Sequence, residues 1–373
     1  MSAATSAAPT IDPASLVRDE VRALKVYHLD LEPCRHKLDQ NEVPYDLPPS
    51  FKRRVAERFA ARSWARYPDF HSDAVRTLLA ERHDWPFDGV LVGNGSNELL
   101  GVTLEAVSRP GGEVLIPSPS FGLYRMFVER AAATPVAISA GEDLRIPLDG
   151  FSNAIAEEPT RPVLLCSPNN PTGDALTVDA VEAVLERARG PVLLDNAYGE
   201  FCDHDYRPLL RRHRHLVIFR TFSKAWSLGG LRLGYLLADP ALVGELIKVK
   251  LPYNVGFGHA AAAEAVLAEP FATERRTRAI LGRRPQWAAM LAELGFEVFP
   301  SQANFHLVRV PAAWADRGLD VEAVRLGLEA RGIRVRNVSG YPGLAGCLRV
   351  SVGSGRALRD VRAAVEAIQE ASR

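Results

Sequence analysis

Neither sign of charge dominates this chain: 45 Lys and Arg stand against 45 Asp and Glu in 373 residues. Without a cationic excess, nothing draws the protein toward nucleic acid or an anionic membrane surface. The one dense basic run, Arg211 to His215 (RRHRH), directly precedes the apolar run LVIF and reads as a solvated connection entering a strand. No stretch approaches the roughly 18 uninterrupted apolar residues of a membrane span. The opening MSAATSAAPT has neither a basic n-region nor an apolar core, so a frayed leader is expected there, not a signal peptide, and a cytoplasmic location with it. Cysteine is scarce. Cys34, Cys166, Cys202 and Cys347 are far apart, form no C-x-x-C pair, and read as reduced thiols. The nine histidines form no H-x-x-x-H or similar set, so no metal is expected. GNGSNE is not a dinucleotide fingerprint, because Glu98 stands where the third glycine would be, and no Walker G-x-x-x-x-G-K-[ST] occurs.

What the chain does have is ordinary globular composition, 47% apolar and 24% charged, and enough length for a large core in two domains. From about residue 50 onward apolar runs alternate with helical patterns, the signature of an α/β fold with a largely parallel sheet. Gly93 to Asn97 is expected to be a loop opening a helix that carries Leu99, Leu100, Leu104 and Val107 on one face. GEVLIPSPSFGLY reads as a strand ending in a proline-rich turn. Val163 to Cys166 reads as a strand, about Val178 to Ala188 as a helix, and PVLLDNAY and LVIFRTFSK as two more strand ends. The last hundred residues change character: helices rich in Ala, Arg and Glu (about 259 to 295) give way to short strands around one more helix. We expect an N-terminal segment (1–47) packing on the small domain or on a partner subunit, a large domain (48–270) and a smaller α+β domain (271–373).

In open α/β sheets ligands bind beyond the carboxyl ends of the strands. Three strands here end in polar residues: Asn170 after VLLCS, Asp195 and Tyr198 after VLL, and Ser223-Lys224 after VIFRTF. If the three are parallel neighbours, an amide, a carboxylate, a phenol and an amine share one crevice. A carboxylate so close to a buried sheet is costly without a cationic partner, and a protonated ring nitrogen would serve. The glycine-rich opening of the Asn97 helix offers backbone N–H groups and a helix dipole to a phosphate, although most Gly-Asn-Gly turns are only turns. An amine, a carboxylate for a pyridinium, a phosphate cup and an aromatic loop (Phe121, Tyr124) together describe a pyridoxal phosphate site. The amine must attack as the neutral form, which nearby Arg232 and partial burial would favour. Each residue also has a plainer reading: Phe121 as core, Tyr67 as a helix-edge aromatic, Arg349 as a surface strand arginine. Their joint occurrence is what favours the site.

With these residues in view, the chain resembles the fold-type I pyridoxal-phosphate enzymes of the class I/II aminotransferases, most closely the histidinol-phosphate aminotransferase branch. The likeness runs from LDQNEVPY to LRVSVGS and keeps RYPDF, GNGSNE, PSFGLY, SPNNPTG, DNAY and SKAWSLGGLRLGY in order. It implies a mostly parallel seven-stranded sheet between helices, plus a smaller α+β domain. It implies that Lys224 holds the cofactor covalently and shuttles the proton, that Asp195 faces the ring nitrogen, and that Tyr198 and Asn170 bind the ring oxygen. Phe121 would cover the ring, while Ser96, Asn97, Thr221, Ser223 and Arg232 would hold the phosphate. Gly229 and Gly230 would let the chain turn back tightly. Tyr67 would reach the phosphate of the neighbouring subunit in a homodimer, and Arg349, Tyr124 and Asn41 would meet substrate. The implied reaction is transamination from L-histidinol phosphate to 2-oxoglutarate. The alternatives are an aromatic or other amino-acid aminotransferase, a threonine-phosphate decarboxylase, and a regulator built on the same fold. A regulator needs a DNA-binding domain for which about 45 weakly patterned residues leave no room. Two positions depart from the pattern: Asn196, where DEAY has an acid, expected to sit outside the chemistry, and the Asn41–Asp46 loop, expected near the substrate.

Overall fold

The apolar runs become strands because both of their faces are covered. In the computed structural model, which describes residues 11–22 and 33–372, the strands are β1 (His36–Lys37), β2 (Val90–Gly93), β3 (Glu113–Ser118), β4 (Thr134–Ser139), β5 (Val163–Cys166), β6 (Val192–Asp195) and β7 (Leu216–Thr221), followed by β8 (Gly234–Ala238), β9 (Glu297–Val298), β10 (Phe305–Arg309), β11 (Ile333–Arg334), β12 (Arg336–Asn337) and β13 (Cys347–Ser351). Seven of them form one sheet in the order β2-β8-β7-β6-β5-β3-β4. Only β8 runs against its neighbours, so the sheet is mostly parallel. Side chains alternate between two cores. Val163, Leu165, Val192, Leu194, Leu216 and Ile218 enter one, and Leu164, Cys166, Leu193, Val217 and Phe219 enter the other. The first core takes in helices Asp73–His83, Leu148–Glu157 and Val178–Arg187; the second takes in Ser96–Val107, Leu123–Arg130 and Pro240–Val249. Burial on both faces explains why these strands read as continuous apolar runs rather than alternating ones.

The smaller α+β part holds a four-stranded antiparallel sheet, β12-β13-β10-β9. Trp287, Met290 and Leu291 of helix Pro270–Glu293 and Val361, Val365 and Ile368 of helix Gly355–Glu370 pack against it. The segment after Pro33 joins this part: β1 pairs in parallel with β11, and Ser351 N–H donates to Leu38 O at 2.9 Å. The described residues from Pro33 onward form a single compact unit, and residues 11–22 belong to another, with a short turn at Pro13–Leu16 and one helical turn at Asp19–Arg22. The MSAATSAAPT reading lies outside the described residues. Among the described residues, no helix is long and apolar enough to cross a membrane.

Candidate active site

β5, β6 and β7 are adjacent and parallel, with Cys166 beside Asp195 and Asp195 beside Phe219. Their carboxyl ends therefore deliver Asn170, Asp195, Tyr198 and Lys224 to one crevice. A buried lattice holds these ends together from behind. Asn196 donates Nδ2–H to Ser167 O (2.6 Å), Arg220 donates to Asn196 Oδ1 (3.0 Å) and pairs with Glu200 (2.7 Å), and Trp226 Nε1–H donates to Glu200 (3.0 Å). Asn196 thus ties the residue after β5 to β7, and its side-chain amide is occupied by these two bonds. In the loop after β5, Asn169 donates to Pro119 O (3.0 Å) and accepts from Ser120 (2.6 Å), which ties the turn leading to Phe121 to the loop that carries Asn170.

Lys224 donates to Gln40 O at 2.7 Å, and its pKa is drawn down to about 7. Burial is the largest cause and Arg349 the next, with Arg232 a smaller contributor; sequence spacing alone points only to Arg232. Asp195 is buried. It accepts from neutral donors, Tyr124 Oη–H at 2.7 Å and Ala197 N–H at 3.1 Å, and burial raises its pKa. Tyr124, expected to meet substrate, is instead turned inward onto this carboxylate at 1% exposure. Tyr198, also buried, has its pKa pushed up to about 12 by burial and accepts a hydrogen bond from Asn41 Nδ2 at 2.9 Å. Asn41, the other expected substrate residue of its loop, is likewise buried with its side chain committed to Tyr198.

At the glycine-rich turn, β2 runs through Gly93 and the helix already begins at Ser96, so the expected loop shrinks to Asn94-Gly95. Ser96 and Asn97 then lie in the first helical turn, where backbone N–H groups lack partners within the helix. Gly95 has φ +84° and Gly234 packs so tightly that a Cβ there would come within 2.2 Å of Ser96 N. Arg232 donates to Ser223 Oγ (3.2 Å) and Gly229 O (3.1 Å), and Ser223 N–H donates to Thr221 Oγ1 (3.0 Å). The turn after Lys224 corrects one expectation. Gly229 and Gly230 have no positive φ, and a Cβ on Gly230 would meet nothing within 4 Å. The left-handed residues there are Ser227 (φ 59°) and Arg232 (φ 49°).

Arg349, in β13, donates to Asn170 Oδ1 and Asp39 O, which holds its guanidinium between the loop after β5 and the loop after β1. Directly opposite it in the antiparallel register, hence on the same face of the small sheet, stands Arg336. Sequence reading missed Arg336, because two arginines thirteen residues apart face each other only once the strands are paired. Phe121 is half-buried with its ring edge-on to Tyr124. Tyr67 makes its ring contact elsewhere: it is 81% exposed and stacks on Tyr253 at 4.7 Å, and exposed Phe70 meets Tyr253 edge-on at 5.0 Å. Among the described residues no group of three or more His, Cys, Asp or Glu could hold a metal ion.

The family model for aminotransferase class I and II matches residues 36–368. The chain belongs to this family. It is an enzyme, a pyridoxal-phosphate-dependent transaminase. It is 34% identical to a histidinol-phosphate aminotransferase of Deinococcus radiodurans over 94% of this chain and 96% of that one. It is 37% identical to histidinol-phosphate aminotransferase 2 of Bordetella parapertussis over 91% and 93%. Among solved structures, histidinol-phosphate aminotransferase from Sinorhizobium meliloti in complex with pyridoxal-5'-phosphate shares the fold at TM-score 0.84 and 23% identity, over 96% of this chain and 99% of that one.

The residues on hand fit such a cofactor. A buried carboxylate held by neutral donors suits a cationic ring N–H, and a lysine with a lowered pKa suits an aldehyde. A glycine-bounded helix start lined by Thr221, Ser223 and Arg232 suits a phosphate.

Proposed function

We propose that this aminotransferase moves an amino group from L-histidinol phosphate to 2-oxoglutarate, releasing imidazole acetol phosphate and L-glutamate in two half-reactions. The relatives that are 33–37% identical over most of their length bear the name of this activity. The observation that carries the substrate reading is the facing pair Arg336 and Arg349. Two forked cations on one face suit a phosphate dianion in the first half-reaction and a carboxylate in the second. Histidinol phosphate has no carboxylate and 2-oxoglutarate has two, so one site must accept both kinds of anion.

Bound in the crevice, pyridoxal phosphate supplies an aldehyde that takes the amino group and a ring that accepts electrons. Lys224 Nζ holds the cofactor and then moves the proton at the substrate carbon. Asp195 keeps the ring nitrogen protonated, and Tyr124 orients that carboxylate. Tyr198 and Asn170 hold the ring oxygen, Phe121 covers the ring face, and Ser96, Asn97, Thr221, Ser223 and Arg232 hold the phosphate. In this reading the enzyme is a cytoplasmic homodimer acting on small molecules, with Tyr67 completing the phosphate site of the second subunit. The exposed rings of Tyr67, Phe70 and Tyr253, packed on one another, support that role, since they leave Tyr67 open to a second subunit. The division at 48–270 and 271–373 belongs to the same proposal, and the seven-stranded and four-stranded sheets falling on either side support it.

The test is a donor panel with 2-oxoglutarate as acceptor. Purified enzyme should prefer L-histidinol phosphate over L-histidinol by about 10-fold or more, the order of one to three kcal/mol for groups left unpaired at the site. Equal rates with both donors, preference for an aromatic amino acid, or release of carbon dioxide from L-threonine phosphate would each reject the reading.

A further inference from the structure

Asn41 is held in an unusual way for a loop residue. Its φ is 55°, in the left-handed region, and it is 1% exposed. Its backbone N–H donates to Ser351 Oγ (3.0 Å), and its carbonyl accepts from Asn304 Nδ2 (2.9 Å). The side-chain Nδ2 donates to Tyr198 Oη at 2.9 Å, while Oδ1 lies 3.4 Å from Ser351 Oγ, whose own hydrogen is donated at shorter range to Leu38 O (2.9 Å). Asparagine is one of the few side-chain-bearing residues that adopts this backbone readily. Backbone and side chain therefore select the same residue type for separate reasons.

The direction of the bond to Tyr198 matters more than its presence. An amide NH2 has donors and no acceptor, whereas a phenol can give one proton and accept at its oxygen. Asn41 fills an acceptor position on Tyr198 Oη and cannot take the Tyr198 proton. That proton must go to some other acceptor. We propose that Asn41 is a positioning residue that fixes the polarity of the Tyr198 phenol, so that its proton is delivered to the ring oxygen of the cofactor. The proposal rests on the cofactor reading above. It gives the NEVPY loop a part in tuning the cofactor instead of contacting substrate. A phenol is protonated at neutral pH, and burial pushes the Tyr198 pKa further up, to about 12, in line with a donor role.

A hydrogen bond donated to that oxygen lowers its basicity. The proton it shares with the Lys224 nitrogen is then lost at lower pH. Asn41→Gly removes the amide but keeps the left-handed backbone, which glycine adopts freely. It should raise the pH midpoint of the visible absorption change of the loaded enzyme by about one unit, the scale of one net hydrogen bond. In a Tyr198→Phe background the same substitution should leave the midpoint unmoved, because Asn41 then has no phenol to direct. Asn41→Asp keeps size and backbone but only accepts, so it draws the Tyr198 proton to itself and should raise the midpoint further. This second variant serves if the glycine variant does not fold. No shift with either substitution, or a shift from Asn41→Gly of equal size with and without the Tyr198 hydroxyl, overturns the proposal. A wild-type protein that binds no pyridoxal phosphate instead overturns the cofactor reading beneath it.

Discussion

Replacing Arg336 by Met tests the proposed anion site more sharply than any substitution at Lys224. The pairing register sets Arg336 directly opposite Arg349. Opposed residues of an antiparallel pair have Cβ atoms about 4.5–5.5 Å apart, within the reach of two guanidinium groups toward one phosphate. Arg336→Met keeps a long flexible stem and removes the charge and its donors. A charge-assisted hydrogen bond is worth roughly 1.5–3 kcal/mol, so kcat/KM for L-histidinol phosphate should fall about 10- to 150-fold. For L-histidinol, which brings no phosphate, the loss should stay below about threefold. Single-turnover absorption changes separate the two half-reactions. The donor half should suffer more than the 2-oxoglutarate half, since Arg349 alone can still fork a carboxylate. Equal losses for phosphorylated and unphosphorylated donors would refute the argument, because Arg336 would then act on stability or on the cofactor.

Other substitutions test the remaining parts. Arg349→Lys should weaken both half-reactions by about 10-fold or more, because one ammonium cannot replace the fork that now spans Asn170 and Asp39, and buried Asn170 Oδ1 loses a partner; a loss confined to one half-reaction contradicts a shared site. Asp195→Asn should lower kcat at least about 100-fold, the scale of removing one preorganised electrostatic contact. Its circular dichroism should be unchanged and its apoprotein no less stable at neutral pH, since burial already disfavours this carboxylate. Near-normal turnover of cofactor-loaded Asp195→Asn would remove Asp195 from the mechanism. Lys224 has a folded pKa of about 7 against an ordinary lysine value of 10.5, so below pH 7 its charge destabilises the folded apoprotein, and the cost is relieved as pH rises from about 7 to 10.5. Urea midpoints of apo Lys224→Met should exceed those of the wild type at about pH 6.5 and converge with them near pH 10.5, and a pH-independent gap would contradict the lowered pKa. Mixing Tyr67→Phe with Lys224→Ala protein should restore activity in hybrid dimers that carry one intact site, and no recovery in hybrids verified by mass, with Tyr67→Phe itself impaired, would rule out a shared site.

The sheet is legible in the sequence because its strands are short, buried on both faces and punctuated. Val163 to Cys166 can be read to the residue, since Pro162 and Ser167-Pro168 bracket an unbroken apolar run. Two-residue strands such as His36–Lys37 and Ile333–Arg334 carry no pattern, and only their pairing defines them. In the site, the residues that end strands stand out as polar groups where apolar ones are expected. Tyr124 stands out as an aromatic but not in its role: it lies in a helix with Phe127 and Val128, and its hydroxyl finds Asp195 only after the helix docks on the sheet. Gly229-Gly230 misleads for the opposite reason: glycine advertises a left-handed turn, yet Ser227 and Arg232 adopt it, the latter with its guanidinium held by Ser223 and Gly229.

The stretch Asp39-Gln40-Asn41 shows why such a loop escapes local reading. Each of its residues touches a different part of the site: the carbonyl of Asp39 accepts from Arg349, that of Gln40 from Lys224, and the amide of Asn41 donates to Tyr198. Two of the three contacts use backbone carbonyls, which every residue has, so side-chain identity at positions 39 and 40 cannot reveal them. The partners come from β13, from the turn after β7 and from the end of β6, each far away in the chain. What fixes the loop is its docking, through Leu38 to Ser351 and Asn41 to Asn304, onto the small sheet that also carries Arg349. A displacement of that sheet on binding an anion at Arg349 would therefore pull directly on the contacts of Lys224 and Tyr198. In this fold the small sheet and the crevice are joined by hydrogen bonds through three residues, and on the proposed reading specificity and cofactor tuning are expected to change together when this loop is altered.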